Sequence, residues 1–368
     1  MTNQLPDTII ILTPAFPRNE SETWWVPSQQ LMVSALHRRY PDLHIEVVSL
    51  LYPREATQYR WQDLPIHSIN GLQYAKFRRP LRWRASWKQL KQLQQQQKVI
   101  GLLSFWCGEC ALIGTFFGKK YGIRHISWIC GQDAGSSNPF PRFIRPKPTE
   151  LAAMSHFLAT EFHRNHRVKP AFIIPNAIDT TSFPAAAGIE RDIDIAGIGS
   201  FEPLKRYPMW VEIIAQLKKS FASIKAVHCG MGVEQELCAH LIEKLRLDDN
   251  CFLSGPQPHE AILQMLHRTK ILLHTSRYEG CSTVCLEALY AGAKVISFCY
   301  PFDHPVPNWH VVNNKDEMIE KALQLLSDAD LSYQSTLVHS MDDSADAMMQ
   351  LFGVRPHTVP QQMQAYSV

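Results

Sequence analysis

The sequence has 368 residues, 45% of them hydrophobic and 19% charged. That is chain enough for two cores, in proportions that fit globular domains and exclude a disordered or collagen-like chain. The formal net charge of +3 argues against a dedicated nucleic-acid binder unless cations are gathered locally. The N-terminus, MTNQLPDTIIILT, has no basic region and too short an apolar run for a signal peptide, and no apolar stretch reaches membrane-crossing length. Residues 8–12 read as a buried first strand. A long polar loop, 14–27, follows, then a helix over 28–40 and a second strand over 44–50. Strand, loop, helix, strand is the start of a parallel doubly wound sheet. In such sheets ligands sit at the carboxyl ends of the strands, so the 14–27 loop borders any site.

The stretch 76–98, KFRRPLRWRASWKQLKQLQQQQK, is basic and carries Trp83 and Trp87. It reads either as an interfacial helix on an anionic membrane surface or as a solvated helix with its apolar side on the core. A strand over 99–105, a helix over 109–119 and a strand over 124–129 come next. Cys107 and Cys110 make a lone CxxC without a second pair at zinc spacing; they read as small apolar residues at the top of the helix. The nine cysteines are odd in number and scattered, as expected of free thiols in a reducing cytoplasm. The 124–129 strand runs into Cys130-Gly131-Gln132-Asp133 and a Gly/Ser/Asn/Pro loop, a second site-like feature.

The alternation then repeats. Strands are expected over 193–198, 224–229, 251–254, 271–274 and 294–298, with helices over 209–221, up to 246, over 260–267 and 284–291. Residues 315–326 and 345–351 are helical in pattern, and the tail 355–368 reads as loose. Three loops carry chemistry. Lys205 and Arg206 follow the 193–198 strand. Gly230-Met231-Gly232 follows the next. Gly280-Cys281-Ser282-Thr283 opens a helix, with Glu279 before it and Glu287 two turns inside. Cationic side chains, a glycine turn and a helix start suit a diphosphate, and the carboxylates suit sugar and ribose hydroxyls. No DxD pair stands where it would hold a metal, so no metal or cofactor is expected.

These residues resemble the retaining, GT-B-fold glycosyltransferases of the group 1, family-four type. Glu279 and Glu287, with seven residues between them, match that family's glutamate pair. Ile174-Pro175-Asn176-Ala177-Ile178-Asp179 is similar to its IPNGVD linker, and Gly199-Ser200-Phe201-Glu202-Pro203-Leu204-Lys205 to its GRLxxxKG phosphate loop. Cys130-Gly131-Gln132-Asp133 is similar to its HGxD loop, and Phe16-Pro17 with Ser21-Glu22-Thr23 to a loop that some members carry after strand one. The chain departs from the pattern at Ser200, Cys130 and Ser282, where arginine, histidine and glycine are usual.

The resemblance implies an α/β chain with a GT-B fold, two doubly wound Rossmann-like domains facing across a cleft. It implies an acceptor-side domain over 1–178, a nucleotide-sugar domain over 179–335, and a helix and tail over 336–368 that return to the first domain. Glu279, Lys205 and Asp133 would be catalytic. Ser200, Arg206, Gly230, Gly280, Cys281, Ser282, Thr283 and Glu287 would bind the donor, a UDP- or GDP-sugar. Phe16, Glu22, Thr23 and Gly131 would line the cleft from the first domain. The implied activity is metal-independent retaining transfer of a hexose to a glycan, lipid-linked or lipid acceptor, in the cytoplasm or on the inner membrane face. The second reading is a catalytically weakened nucleotide-sugar-binding protein or partner subunit on the same fold.

Overall fold

The structure is a computed structural model that describes residues 5–69, 79–185 and 188–356. The chain divides into two compact units, 1–176 with 341–368, and 177–340. In the first unit the strands are β1 (Asp7–Ala15), β2 (His44–Tyr52), β3 (Thr57–Trp61), β4 (Leu64–Ser68), β5 (Lys98–Phe105), β6 (Arg124–Ile129), β7 (Leu151–Ala153) and β8 (Phe172–Ile173). Its helices are α1 (Pro27–Arg39), α2 (Arg79–Gln96), α3 (Glu109–Tyr121), α4 (Phe140–Ile144) and α5 (His156–His166). The sheet order is β3-β4-β2-β1-β5-β6-β7-β8. All pairings are parallel except β3 on β4. Ile9 to Leu12 are fully buried at every position. This is the mark of a strand covered on both faces, and it explains why β1 reads as an apolar run rather than an alternation.

The hairpin β3–β4 is absent from the sequence reading. Its turn, Gln62-Asp63, has positive φ at both residues (46° and 62°), a turn conformation that Asn-Gly usually signals and Gln-Asp does not. The basic stretch resolves into α2. Residues 76–78, including Arg78, lie outside the described residues, as does the tail from 357. Leu90 and Leu93 of α2 are buried in the core, with Trp83 and Trp87 packed against it. Trp87 lies edge-on to Phe117 at 5.0 Å, and Trp83 Nε1 donates to Glu109 at 3.1 Å. Arg84, Lys88 and Lys91 point their charge away from this core, all three being exposed. The tryptophans therefore serve the core, which leaves these cations and the exposed Leu81 for any outside partner.

The helix Met341–Gln350 belongs to the first unit. Arg39 donates Nε to Asp346 Oδ1 at 2.7 Å and Nη2 to Oδ2 at 2.5 Å, and Tyr40 adds its hydroxyl at 2.9 Å. Arg38 meets Asp342 at 2.5 Å. Burial, then the bond to Asp346, raises the Tyr40 hydroxyl pKa. Beyond the helix, Phe352 fills the space over Gly101, where a Cβ would stand 2.3 Å from its ring. Removing one partner of a buried ion pair strands the other. Asp346→Ala is therefore expected to cost about 3 kcal/mol of stability, read as a lower urea midpoint with unchanged m-value.

The second unit has strands β9 (Ile193–Ile198), β10 (Ala226–Cys229), β11 (Cys251–Gly255), β12 (Thr269–His274), β13 (Lys294–Ser297) and β14 (Trp309–Val311). Its helices are α6 (Tyr207–Leu217), α7 (Gln235–Lys244), α8 (His259–His267), α9 (Thr283–Tyr290) and α10 (Lys315–Ser327); the helix of the first unit described above is α11. The sheet is parallel throughout, in the order β11-β10-β9-β12-β13-β14. The core gathers Trp210, Ile213, Ile214 and Leu217 of α6 against Ile195, Ile271 and Ile296 of the strands and Met318 and Ala322 of α10. Among the described residues no helix is long and apolar enough to cross a membrane.

Candidate functional site

In the second unit the chain winds outward from β9 through β10 to β11, then returns and winds the other way from β12 to β14. The reversal lies between β9 and β12, and the crevice at such a reversal is where doubly wound sheets bind ligands. The loops that leave these two strands are tied together there. Thr275 Oγ1 donates to the Lys205 carbonyl at 2.7 Å, and the Arg277 amide to the Leu204 carbonyl at 2.9 Å. Their side chains meet as well: Lys205 Nζ stands 2.5 Å from Glu279 Oε2. Residues 74 positions apart in sequence thus form one ion pair at the reversal.

The loop after β10 is laid against the loop after β9. The Gly199 amide donates to the Cys229 carbonyl and the Phe201 amide to the Met231 carbonyl, both at 3.0 Å. This approach requires glycine. A Cβ on Gly230 would stand 1.9 Å from the Gly199 carbonyl oxygen, and one on Gly232 would stand 2.7 Å from the Phe201 nitrogen. Ser200 is exposed on the first of these loops. Arg206 takes a left-handed conformation (φ 57°) at the start of α6, with its guanidinium 5.6 Å from the centre of the Phe298 ring.

Helix α9 begins after Ser282, whose side chain makes no capping bond to the first turn. The start of the helix is therefore not sealed by its own cap residue, and its dipole favours an anion there. Gly280, Cys281 and Ser282 are buried and Thr283 half-buried. A small recess beside them is lined by His274, Glu279, Ser282, Cys299 and Trp309. His274 is buried, and burial pushes its pKa down to about 4, with Glu279 opposing and Lys205 assisting. Its Nε2 stands 3.6 Å from Glu279 Oε2, beyond hydrogen-bond range. Glu287, 5% exposed, places Oε1 2.6 Å from His259 Nε2. His259 and His274 carry no site role in the sequence reading. The available signal was position, since each stands at or just beyond the carboxyl end of a strand.

The first unit changes the reading of three residues. Phe16 does not line an open face. It is fully buried, edge-on to Trp61 at 5.0 Å, because the unforeseen strand β3 supplies that tryptophan. Asp133 is buried with both carboxylate oxygens engaged. Oδ2 accepts from the Cys107 amide at 2.7 Å, and Oδ1 from the amides of Gly131 at 2.8 Å and Cys130 at 3.2 Å. Burial raises its pKa to about 6 against the pull of those amides. It clamps the loops after β5 and β6 together, rather than presenting a free base. Glu22 accepts from the Tyr52 hydroxyl at 2.9 Å and the Arg18 amide at 2.9 Å, so it braces its own loop, with Thr23 half-buried beside it. Cys107 and Cys110 are buried, and burial raises both thiols. All nine cysteines are free.

Comparison with known proteins agrees with this arrangement. Residues 179–335 match the model of the family described as glycosyl transferases group 1. That match spans the second unit, and the fold is that of solved GT-B glycosyltransferases such as WaaG. A phosphatidylinositol N-acetylglucosaminyltransferase component from Arabidopsis thaliana is 30% identical over 197 residues, 52% of this chain and 44% of the relative. The Staphylococcus aureus poly(ribitol-phosphate) alpha-N-acetylglucosaminyltransferase is 24% identical over 226 residues, 57% of this chain and 44% of the relative. The aligned part is thus under half the length of each of these curated relatives. The Anabaena protein HepE, solved with UDP and glucose, shares the fold at 14% identity with a TM-score of 0.62, covering 94% of this chain and 97% of its own.

Proposed function

We propose that the chain transfers a sugar from a nucleoside diphosphate donor, a UDP- or GDP-sugar, to a glycan, lipid-linked or lipid acceptor, with retention of configuration. The observation that carries this is the Lys205–Glu279 pair at the sheet reversal, beside a helix start that the Ser282 side chain does not cap, with Glu287 about one turn inside. Lys205 and Arg206 meet the diphosphate together with the first turn of α9, Ser200 and the Gly230 turn. These cations take the part that a divalent metal plays in other phosphate sites. Glu279 accepts hydroxyls of the donor sugar and Glu287 those of the ribose. The bond from the anomeric carbon to the phosphate oxygen breaks, and the acceptor oxygen bonds that carbon on the same face. The departing phosphate oxygen takes the acceptor proton. Lys205 stabilises the charge that grows on the leaving group, an effect aimed at the transition state. Asp133 and Gly131 contribute by holding loops of the acceptor-side unit. The relatives named for N-acetylglucosaminyl transfer support sugar transfer, and the one solved with UDP and glucose supports a uridine nucleotide.

Ser200, exposed where the family pattern has arginine, favours a second reading, a nucleotide-sugar-binding partner with weakened transfer. Arg84, Lys88 and Lys91 of α2, turned from the core, support attachment to an anionic membrane surface. Unchanged sedimentation with anionic vesicles after their replacement by glutamine would remove that part. The nucleotide is tested by melting the protein with UDP, GDP, ADP and CMP. A nucleotide present at a hundred times its Kd contributes about 2.7 kcal/mol and raises Tm by several degrees. A flat response to all four would overturn the donor assignment.

A further inference from the structure

We infer that His259 is a positioning residue that aims Glu287 at the ribose of the donor. This rests on the nucleotide reading above and deepens it. Glu287 lies inside α9 between Leu286 and Ala288, both at most 1% exposed. A carboxylate at that depth is costly to bury without a hydrogen-bond partner. His259 is that partner, at 2.6 Å from Oε1, and it comes from the first residue of a different helix, α8. The bond fixes the carboxylate plane. Among the described residues no other donor engages the Glu287 carboxylate, so Oε2 remains for a ligand that brings its own hydroxyl hydrogens. A vicinal diol does this, and a phosphate does not.

The electrostatics agree. Burial works against the charged form of His259, yet the bond and charge of Glu287, with Asp179 behind them, raise its pKa overall. Donor and acceptor are thus set in one sense, with His259 giving its Nε2 hydrogen and Glu287 left as an acceptor. A merely structural pair would neutralise a buried charge without any consequence for which nucleotide binds.

The test uses the full chain and four probes: UDP, GDP and the 2′,3′-dideoxy form of each. Calorimetry gives Kd for wild type, His259→Ala, His259→Asn and His259→Gln, with Tm recorded for every variant. Wild type is expected to prefer the ribose form of its nucleotide by about tenfold, the worth of hydrogen bonds to a charged group. His259→Ala and His259→Asn should lose most of that preference while the affinity for the dideoxy form stays within about twofold. His259→Gln, whose amide reaches as far as imidazole Nε2, should restore it. Retention of the preference in the alanine and asparagine variants would overturn the inference and leave the nucleotide reading intact. Equal weakening of ribose and dideoxy forms would also overturn it, marking a structural role. A wild type that binds nucleotide without any preference would overturn the ribose role of Glu287, and this inference with it.

Discussion

Lys205→Ala is expected to lower kcat for sugar transfer by about a hundredfold to a thousandfold, the usual loss when one preorganised transition-state donor is removed. The reason lies in where Lys205 stands. Its main chain is held by Thr275 Oγ1 and its Nζ by Glu279, so its position is set before any ligand arrives. A cation already in place loses little in reorganisation when charge develops beside it. The loss should exceed the change in donor KM, since the charge on the leaving phosphate grows most in the transition state. Lys205→Arg should recover only part of the rate, because a planar fork does not reproduce a point charge. Initial-rate kinetics on both variants check this, with Tm as the control for folding. Equal kcat in wild type and Lys205→Ala would remove Lys205 from the chemistry.

Gly230→Ala is expected to destabilise the second unit by about 3 kcal/mol or more, among the larger effects of a single methyl group. Two costs add. The residue sits at φ 149°, a conformation that L side chains rarely adopt. The new Cβ would also fall 1.9 Å from a main-chain oxygen of Gly199, and a backbone atom cannot swing aside as a side chain does. Gly255→Ala is the comparison. It also has positive φ, 71°, but nothing lies within 4 Å of its Cβ, so about 1–2 kcal/mol of left-handed strain is expected. Urea unfolding of both variants separates steric overlap from conformational strain. Similar losses for the two would show that the loops part easily.

Much of the fold is legible because parallel strands buried on both faces leave apolar runs. Ile193–Ile198 and Arg124–Ile129 read to the residue and β5 to within one, while β1 reads four residues short. What escapes is edge structure. The strand Thr57–Trp61 is polar at most positions and turns on Gln62-Asp63, and Trp309–Val311 is only three residues long. One omission causes another: without β3 there is no Trp61 to bury Phe16, so that ring reads as lining an open face. At the site, Glu279, Glu287 and Lys205 carry recognisable spacing, and the structure joins Lys205 to Glu279. His259 carries none. It lies 28 residues before Glu287, and only the packing of α8 on α9 makes them neighbours. Asp133 is legible as a special residue but not as a clamp. Its role depends on three backbone amides, and amides leave no trace in a sequence.

A crystal structure of the full chain with UDP tests most directly whether the Lys205–Glu279 pair and the start of α9 form a diphosphate site, with Glu287 at the ribose. The diphosphate oxygens are expected within hydrogen-bond distance of Lys205 Nζ and of main-chain amides at the start of α9. The ribose hydroxyls should rest on Glu287. UDP bound away from these residues, or bound there with Glu287 untouched, would contradict this.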